Sequence, residues 1–85
     1  MVYERLVITN HAEKQLSKLP PATAKQIIIS LSQFIFQPQK ANLKKLKGYK
    51  NTWRIRVGNY RALFKIENNL VIVIKVGHRK DIYKE

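Results

Sequence analysis

The chain has 85 residues, 45% of them hydrophobic, so it can form one small domain, residues 1–85, with a single modest core. Its 17 Lys and Arg residues outnumber 5 Asp and Glu residues, which gives a formal net charge of +12. The lack of cysteine excludes a disulfide scaffold, a thiolate metal site and a cysteine nucleophile. We expect a soluble, cytoplasmic protein, because the opening residues do not resemble a signal peptide and no apolar run is long enough to cross a membrane.

The first half of the chain predicts one strand and two helices. A β-branched and aromatic run predicts a strand over residues 2–8. Thr9 or Asn10 can cap a helix over about 10–18, and two consecutive prolines end it and open a second helix over about 21–36. Apolar residues recur at helical spacing and predict the buried faces, namely Ala12, Leu16, Leu19, Ala24, Ile27, Ile28, Leu31, Phe34 and Ile35. The short connection favours an antiparallel helix hairpin.

The second half predicts a sheet. Strands are expected over residues 43–46, 53–57, 60–66 and 70–76. Gly58–Asn59 and Asn68–Asn69 are typical of tight turns, and Gly77 is expected to end the last strand. The predicted fold class is therefore α+β, with an N-terminal strand, a two-helix hairpin and a three- to four-stranded antiparallel sheet that the helices cover on one face.

The basic residues are concentrated in the second half. Residues 40–85 carry 13 Lys and Arg residues against 3 carboxylates, and no carboxylate lies between Glu13 and Glu67. A surface that served only solubility would mix the two signs. The pattern therefore favours a binding surface for a polyanion, with a solvated cationic surface as the alternative.

Three arginines are predicted to share the sheet face that the helices leave open. Strict alternation places Arg54 and Arg56 on one side of their strand, and a two-residue turn would set Arg56 directly opposite Arg61. Like charges in that position destabilise a sheet, whereas guanidinium groups match phosphate geometry. The cluster therefore predicts a phosphate-binding site, and the alternative is that each arginine extends separately into solvent.

Arg79, His78 and Tyr83 follow the last predicted strand. Arginine does not give up its proton in proteins, so proton transfer would need His78 or Tyr83, although each can equally have a purely structural role. Two distant histidines and three isolated glycines predict neither a metal site nor a cofactor.

Three segments together resemble the RelE/ParE toxin superfamily, and within it the RelE-like mRNA interferases. They are Leu46–Tyr49, Trp53–Arg61 and Val76–Tyr83, and the helical half agrees in layout. The resemblance implies a toxin of a type II toxin–antitoxin system. Such a toxin is a ribosome-dependent endoribonuclease that cleaves mRNA in the A site through attack of the 2′-hydroxyl, without a metal. It is neutralised by a cognate, RelB-like and often acidic antitoxin.

The resemblance also assigns residues. It implies catalytic roles for Arg54, Arg56, Arg61, Arg79 and Tyr83, and His78 joins the predicted catalytic set as the other candidate for proton transfer. The predicted RNA-binding set is Lys44, Lys45, Lys47 and Lys50. Arg54 and Arg56 stand where these toxins often have lysines, so we interpret them as phosphate clamps that stabilise a pentavalent transition state. Two alternatives stay open. One is a ParE-like inhibitor of DNA gyrase, and the other is a degenerate, non-catalytic RNA-binding member.

Overall fold

The computed structural model describes residues 5–36, 43–45 and 51–82. Its elements, in chain order, are β1 (Arg5–Ile8), α1 (Asn10–Ser17), α2 (Pro21–Phe36), β2 (Leu43–Lys45), β3 (Thr52–Val57), β4 (Tyr60–Glu67) and β5 (Leu70–His78). The predicted α+β class and element order are confirmed. The start of the predicted first strand, residues 2–4, and residue 46 of the predicted second strand lie outside the described residues.

The five described strands form one mixed sheet in the order β1-β5-β4-β3-β2. The four later strands pair antiparallel with one another, as predicted. β1 adds a parallel edge next to β5, with Leu6 aligned with Val71. This pairing was not predicted, because alternation within a strand carries no information about its partner. It makes β5 an interior strand, which agrees with the apolar sequence of that segment.

Both predicted tight turns form. Gly58 has φ +59° in the β3–β4 turn, where a left-handed first position suits glycine. In the β4–β5 turn Asn68 and Asn69 have φ of 50° and 64°. Asparagine tolerates this conformation better than most residues, so both turns are built from the residues that they require.

The helices cover one face of the sheet and build the core there. Thr9 is the residue that caps α1, since its Oγ1 accepts a hydrogen bond from the Ala12 N–H at 3.2 Å. Buried residues of both helices pack on buried residues of β3, β4 and β5, and the Phe34 and Phe64 ring centroids lie 5.1 Å apart. The predicted apolar faces of the helices are confirmed in this core. Among the described residues, neither helix is long and apolar enough to cross a membrane.

β5 departs from the prediction in two ways. It continues through Gly77 to His78, because residues 60–62 of β4 pair with it over that length. Its register with β4 also shifts, since Leu63 pairs with Lys75 whereas Phe64 pairs with Val73. Ile74 is therefore the extra residue of a β-bulge, which changes the face that every later side chain of β5 takes.

Candidate nucleic-acid interface

The arginine cluster lies on the sheet face opposite to the helices, which we call the open face. The β3–β4 register pairs Val57 with Tyr60 and Arg56 with Arg61, as a two-residue turn requires. Val57 and Tyr60 pack against the core, so the next pair along the ladder, Arg56 and Arg61, has to point away from it. The predicted opposition of two guanidinium groups is therefore confirmed at the level of strand register.

Arg61 is much less accessible than a surface arginine, since it is only 8% exposed. Its Nη1 donates hydrogen bonds of 2.9 Å to the carbonyl oxygens of Gly58 and Tyr60. The side chain thus curls back onto the β3–β4 turn and satisfies two carbonyl groups there. Arg61 is a positioning residue for the turn as well as a source of positive charge.

Arg54 and Arg56 differ in their surroundings. Arg56 is exposed, and its side chain makes no hydrogen bond to the part of the chain that the structure describes. Arg54 is half-buried, and its Nε is a buried donor without an acceptor within the described ranges. A buried donor without an acceptor is costly, and an anion bound at the open face would offset that cost.

The segment after β5 folds into a tight turn beside these arginines. The Asp81 and Ile82 N–H groups donate to the His78 carbonyl oxygen at 2.8 and 3.0 Å. The exposed Arg79 lies against the β3–β4 turn, where its N–H donates to the Asn59 carbonyl oxygen at 2.8 Å. The turn therefore places Arg79 at the same end of the sheet as Arg56 and Arg61.

Ile82 anchors this turn on the open face. It is buried, and its Cδ1 would lie 3.6 Å from a Cβ placed on Gly77. Gly77 pairs directly with Arg61, so such a Cβ would point to the face that Arg61 occupies. Ile82 therefore packs on the sheet from the open face. Tyr83, the next residue, lies outside the described residues, and its catalytic role stays a prediction.

The structure places His78 on the opposite face of the sheet from Arg54, Arg56 and Arg61. His78 pairs with Tyr60, and the two rings lie 5.5 Å apart in an edge-on arrangement. Tyr60 packs against the core, so His78 lies on the helix side of the sheet. Its Nδ1 accepts a hydrogen bond from the Lys80 N–H at 3.1 Å.

Two of the four predicted RNA-binding lysines, Lys44 and Lys45, lie among the residues that the structure describes. Lys44 and Lys45 lie in the edge strand β2, where their backbones pair with Arg54 and Trp53. Lys44 is therefore a cross-strand neighbour of the arginine cluster. Lys47 and Lys50 lie outside the described residues.

The comparisons with known proteins all point to one protein family. The profile described as "ParE toxin of type II toxin-antitoxin system, parDE" matches residues 6–83. The chain belongs to the RelE/ParE toxin superfamily. Toxin RelG of Mycobacterium tuberculosis is 31% identical over 83 residues, which cover 89% of this chain and 91% of RelG. Toxin RelE3 of Methanocaldococcus jannaschii is 50% identical over 44 residues, and the match spans only 52% of this chain and 50% of RelE3.

Solved structures agree with this result. The RelB–RelE antitoxin–toxin complex from Methanococcus jannaschii includes a chain similar to this one, with a TM-score of 0.77 and 32% identity. The match covers 91% of this chain and 94% of the other. The resemblance to RelE-like toxins that the sequence motifs indicated is thereby confirmed.

Lys75 is a basic residue of the open face that the sequence analysis missed. Lys75 pairs directly with Leu63, which pairs on its other side with Arg54, so all three share one row across the sheet. The segment from Leu70 to Val76 was interpreted only as an apolar strand. The signal that could have revealed Lys75 is the presence of a lysine within that apolar run, because lysines are rare in buried strands.

Proposed function

We propose that this toxin is a metal-independent endoribonuclease that cleaves mRNA in the A site of the ribosome and acts in the cytoplasm. The observation that carries the proposal is the direct opposition of Arg56 and Arg61 on the open face, with Arg54 two residues along the same strand. Such an arrangement weakens the sheet unless an anion is bound there. The similarity to RelE toxins supports an RNA phosphate as that anion.

The proposed reaction is an internal transesterification. The 2′-oxygen attacks the adjacent phosphorus, the bond from phosphorus to the 5′-oxygen breaks, and the products carry a 2′,3′-cyclic phosphate and a 5′-hydroxyl. The 2′-hydroxyl proton passes to a base, and the departing 5′-oxygen gains a proton. Arg54 and Arg56 stabilise the added negative charge of the pentavalent transition state, because guanidinium groups are fixed hydrogen-bond donors that stay cationic.

The remaining residues have distinct parts in this proposal. Arg61 positions the β3–β4 turn through its two carbonyl contacts and adds positive charge beside Arg56. Arg79, held next to the same turn, contacts the RNA backbone. We assign proton transfer to Tyr83 rather than His78, since His78 faces the helix side of the sheet.

An antitoxin is the second part of the proposal. Similar toxin chains occur in RelB–RelE complexes, and this chain has a net charge of +12. We propose an acidic, RelB-like partner that covers the open face and neutralises the toxin. Electrostatic attraction of this kind speeds association and weakens as salt is added.

Induced expression without antitoxin, followed by primer extension on an abundant mRNA, tests the nuclease activity. We expect cuts confined to translated frames, with 5′-hydroxyl ends. Arg54→Gln and Arg56→Gln should each lower the cleavage rate by about 10²–10³, the usual effect of removing one transition-state donor. Arg5→Gln is the matched control, because Arg5 lies in the edge strand β1, which β5 and β4 separate from β3.

The same experiment separates the alternatives. Growth arrest with intact mRNA and accumulated DNA breaks would overturn the proposal in favour of a gyrase inhibitor, an activity that the ParE description of the family makes the leading alternative. Absence of both arrest and cleavage, with protein that is folded, would indicate a degenerate binding member.

A further inference from the structure

We propose that Lys75 is an additional contact for the RNA phosphate backbone and that the β-bulge at Ile74 is what delivers it to the open face. The inference deepens the proposed function and rests on it. It concerns a residue that neither the motifs nor the predicted lysine set includes.

The register determines the face that Lys75 takes. Val71 and Val73 are fully buried in the core, and uninterrupted alternation would point Lys75 into the same core. The bulge inserts Ile74, so that Lys75 pairs with Leu63 and Val76 becomes the next core residue. A lysine in the core would carry an uncompensated charge, so the bulge removes a large cost as it moves Lys75 to the other face.

Lys75 then extends the basic surface along one row of the sheet. Leu63 pairs with Arg54 on one side and with Lys75 on the other, so Arg54 and Lys75 lie two strands apart. Adjacent strands are about 4.8 Å apart, which puts the two backbones about 10 Å from each other. Lys44 pairs with Arg54 at the edge of the sheet, so three basic residues occupy positions in this row.

Lys75 is also close to the opposed arginines. It lies two residues from Gly77, the direct partner of Arg61, and is therefore a diagonal neighbour of Arg61 at about 7–8 Å. Leu63, between the two basic positions, is buried although it lies outside the helix-side core cluster. Lys75 is half-buried, which suits an aliphatic stem that lies beside Leu63.

Bulges are frequent beside active sites, where they redirect a side chain. Here the bulge lies within an interior strand and adjoins the proposed site. A lysine offers a single cationic group to a phosphate, whereas the neighbouring arginines offer planar forks. Lys75 therefore binds a phosphate next to the one being cleaved and takes no part in the chemical step.

The test is the salt dependence of RNA binding by the intact chain. The probe is a single-stranded RNA with 2′-O-methyl groups throughout, which cannot undergo 2′-hydroxyl attack. Each phosphate contact contributes about 0.7 to the slope of log affinity against log salt for a single strand. We expect Lys75→Gln and Lys75→Met to reduce that slope by about 0.7, and Lys75→Arg to retain it.

Two controls keep the result interpretable. Lys25→Gln removes the same charge from the exposed surface of α2, on the other side of the sheet, and should leave the slope unchanged. Lys75→Met keeps an unbranched stem beside Leu63, so a loss of slope in a variant with wild-type melting temperature reports the charge and not the packing.

The outcomes distinguish this inference from the proposed function. An unchanged slope in Lys75→Met and Lys75→Gln would overturn it, even if the wild-type chain cleaves mRNA. A reduced slope in these variants, in a chain that cleaves no mRNA in cells, would support the RNA contact and overturn the nuclease. Equal reductions in Lys25→Gln and Lys75→Gln would overturn the inference as well, since they would reflect net charge alone.

Discussion

The two faces of the sheet are built from the same strands but differ in composition, since one is apolar and packed and the other carries basic residues. On the helix side, Ile55, Ala62 and Phe64 are buried against α1 and α2. The side chains that alternate with these residues point to the open face, and they include Arg54, Arg56 and Arg61. A sheet in which only one face is packed can therefore carry a cationic cluster without placing it in the core, because successive side chains point to opposite sides.

The comparison also shows that the open face is not merely a layer of solvated charge. Leu63 and Ile82 are buried there, at 5% and 1% exposure, and Arg61 turns back onto the β3–β4 turn. The open face thus combines a small apolar patch, Leu63 and Ile82, with basic side chains around it, of which Arg61 is held by hydrogen bonds. This arrangement makes distinct predictions for substitutions on the two faces.

The largest effect is expected in the core. Phe64 is fully buried and contacts Phe34, so Phe64→Ala should lower the free energy of unfolding by about 3–5 kcal/mol. Phe36 is a matched control, because it is the same residue type at 71% exposure, and Phe36→Ala should change stability by less than about 0.5 kcal/mol. Urea denaturation of both variants measures the difference. Similar losses in both would contradict the assignment of Phe64 to the packed core.

The opposed arginines should differ in their effect on stability. Arg61→Gln leaves the Gly58 and Tyr60 carbonyl groups without their donor and should cost about 1–3 kcal/mol. Arg56→Gln removes the repulsion without breaking a described hydrogen bond and should be neutral or stabilise the fold by up to about 0.5 kcal/mol. Thermal unfolding at low and high salt measures both changes. If Arg56→Gln were the more destabilising, the assignment of Arg61 to the turn would be wrong.

Two glycines near the open face should respond with opposite signs. Gly58 has φ +59°, so Gly58→Ala should cost about 1–2 kcal/mol in spite of the open space around it. Gly77 has ordinary space for a Cβ, with the Ile82 Cδ1 at 3.6 Å, and Gly77→Ala should be neutral or stabilise the fold by about 0.4–1 kcal/mol. Melting temperatures compare the two directly. A marked loss in Gly77→Ala would show that Ile82 packs more tightly on the strand than described.

The smallest effect is expected for His78, and it tests the assignment of this residue to the helix side of the sheet. Because His78 lies beside Tyr60 on the helix side, His78→Gln should lower mRNA cleavage by less than about tenfold, whereas loss of a true general base costs about 10²–10⁴. Tyr83→Phe is the companion variant and should show the larger loss. Primer extension at limiting induction gives both values. A severe defect in His78→Gln with intact fold would return proton transfer to the histidine.

Much of the fold could be predicted because local signals are strong here. The Pro20–Pro21 junction, the spacing of apolar residues in α2 and the glycine of the β3–β4 turn each restrict the backbone directly. The same turn fixed the register of its hairpin, so the opposition of Arg56 and Arg61 followed from the turn length. The parallel pairing of β1 with β5 could not be predicted, because it joins segments far apart in the chain.

The sequence by itself determined the helix hairpin, the antiparallel strands and the strand positions of the arginine cluster. Only the tertiary structure decided which residues of β5 reach that cluster. Simple alternation from Val73 would turn Lys75 toward the core and His78 toward the arginines, and the bulge at Ile74 reverses both. The physical reason is that the register of β5 is set by its neighbours on both sides. Pairing with β1 and β4 holds Val71 and Val73 in the core. The end of β5 is positioned separately, by the hydrogen bond from Arg79 to Asn59 in the β3–β4 turn. The extra residue in β5 allows both sets of contacts to form in one strand.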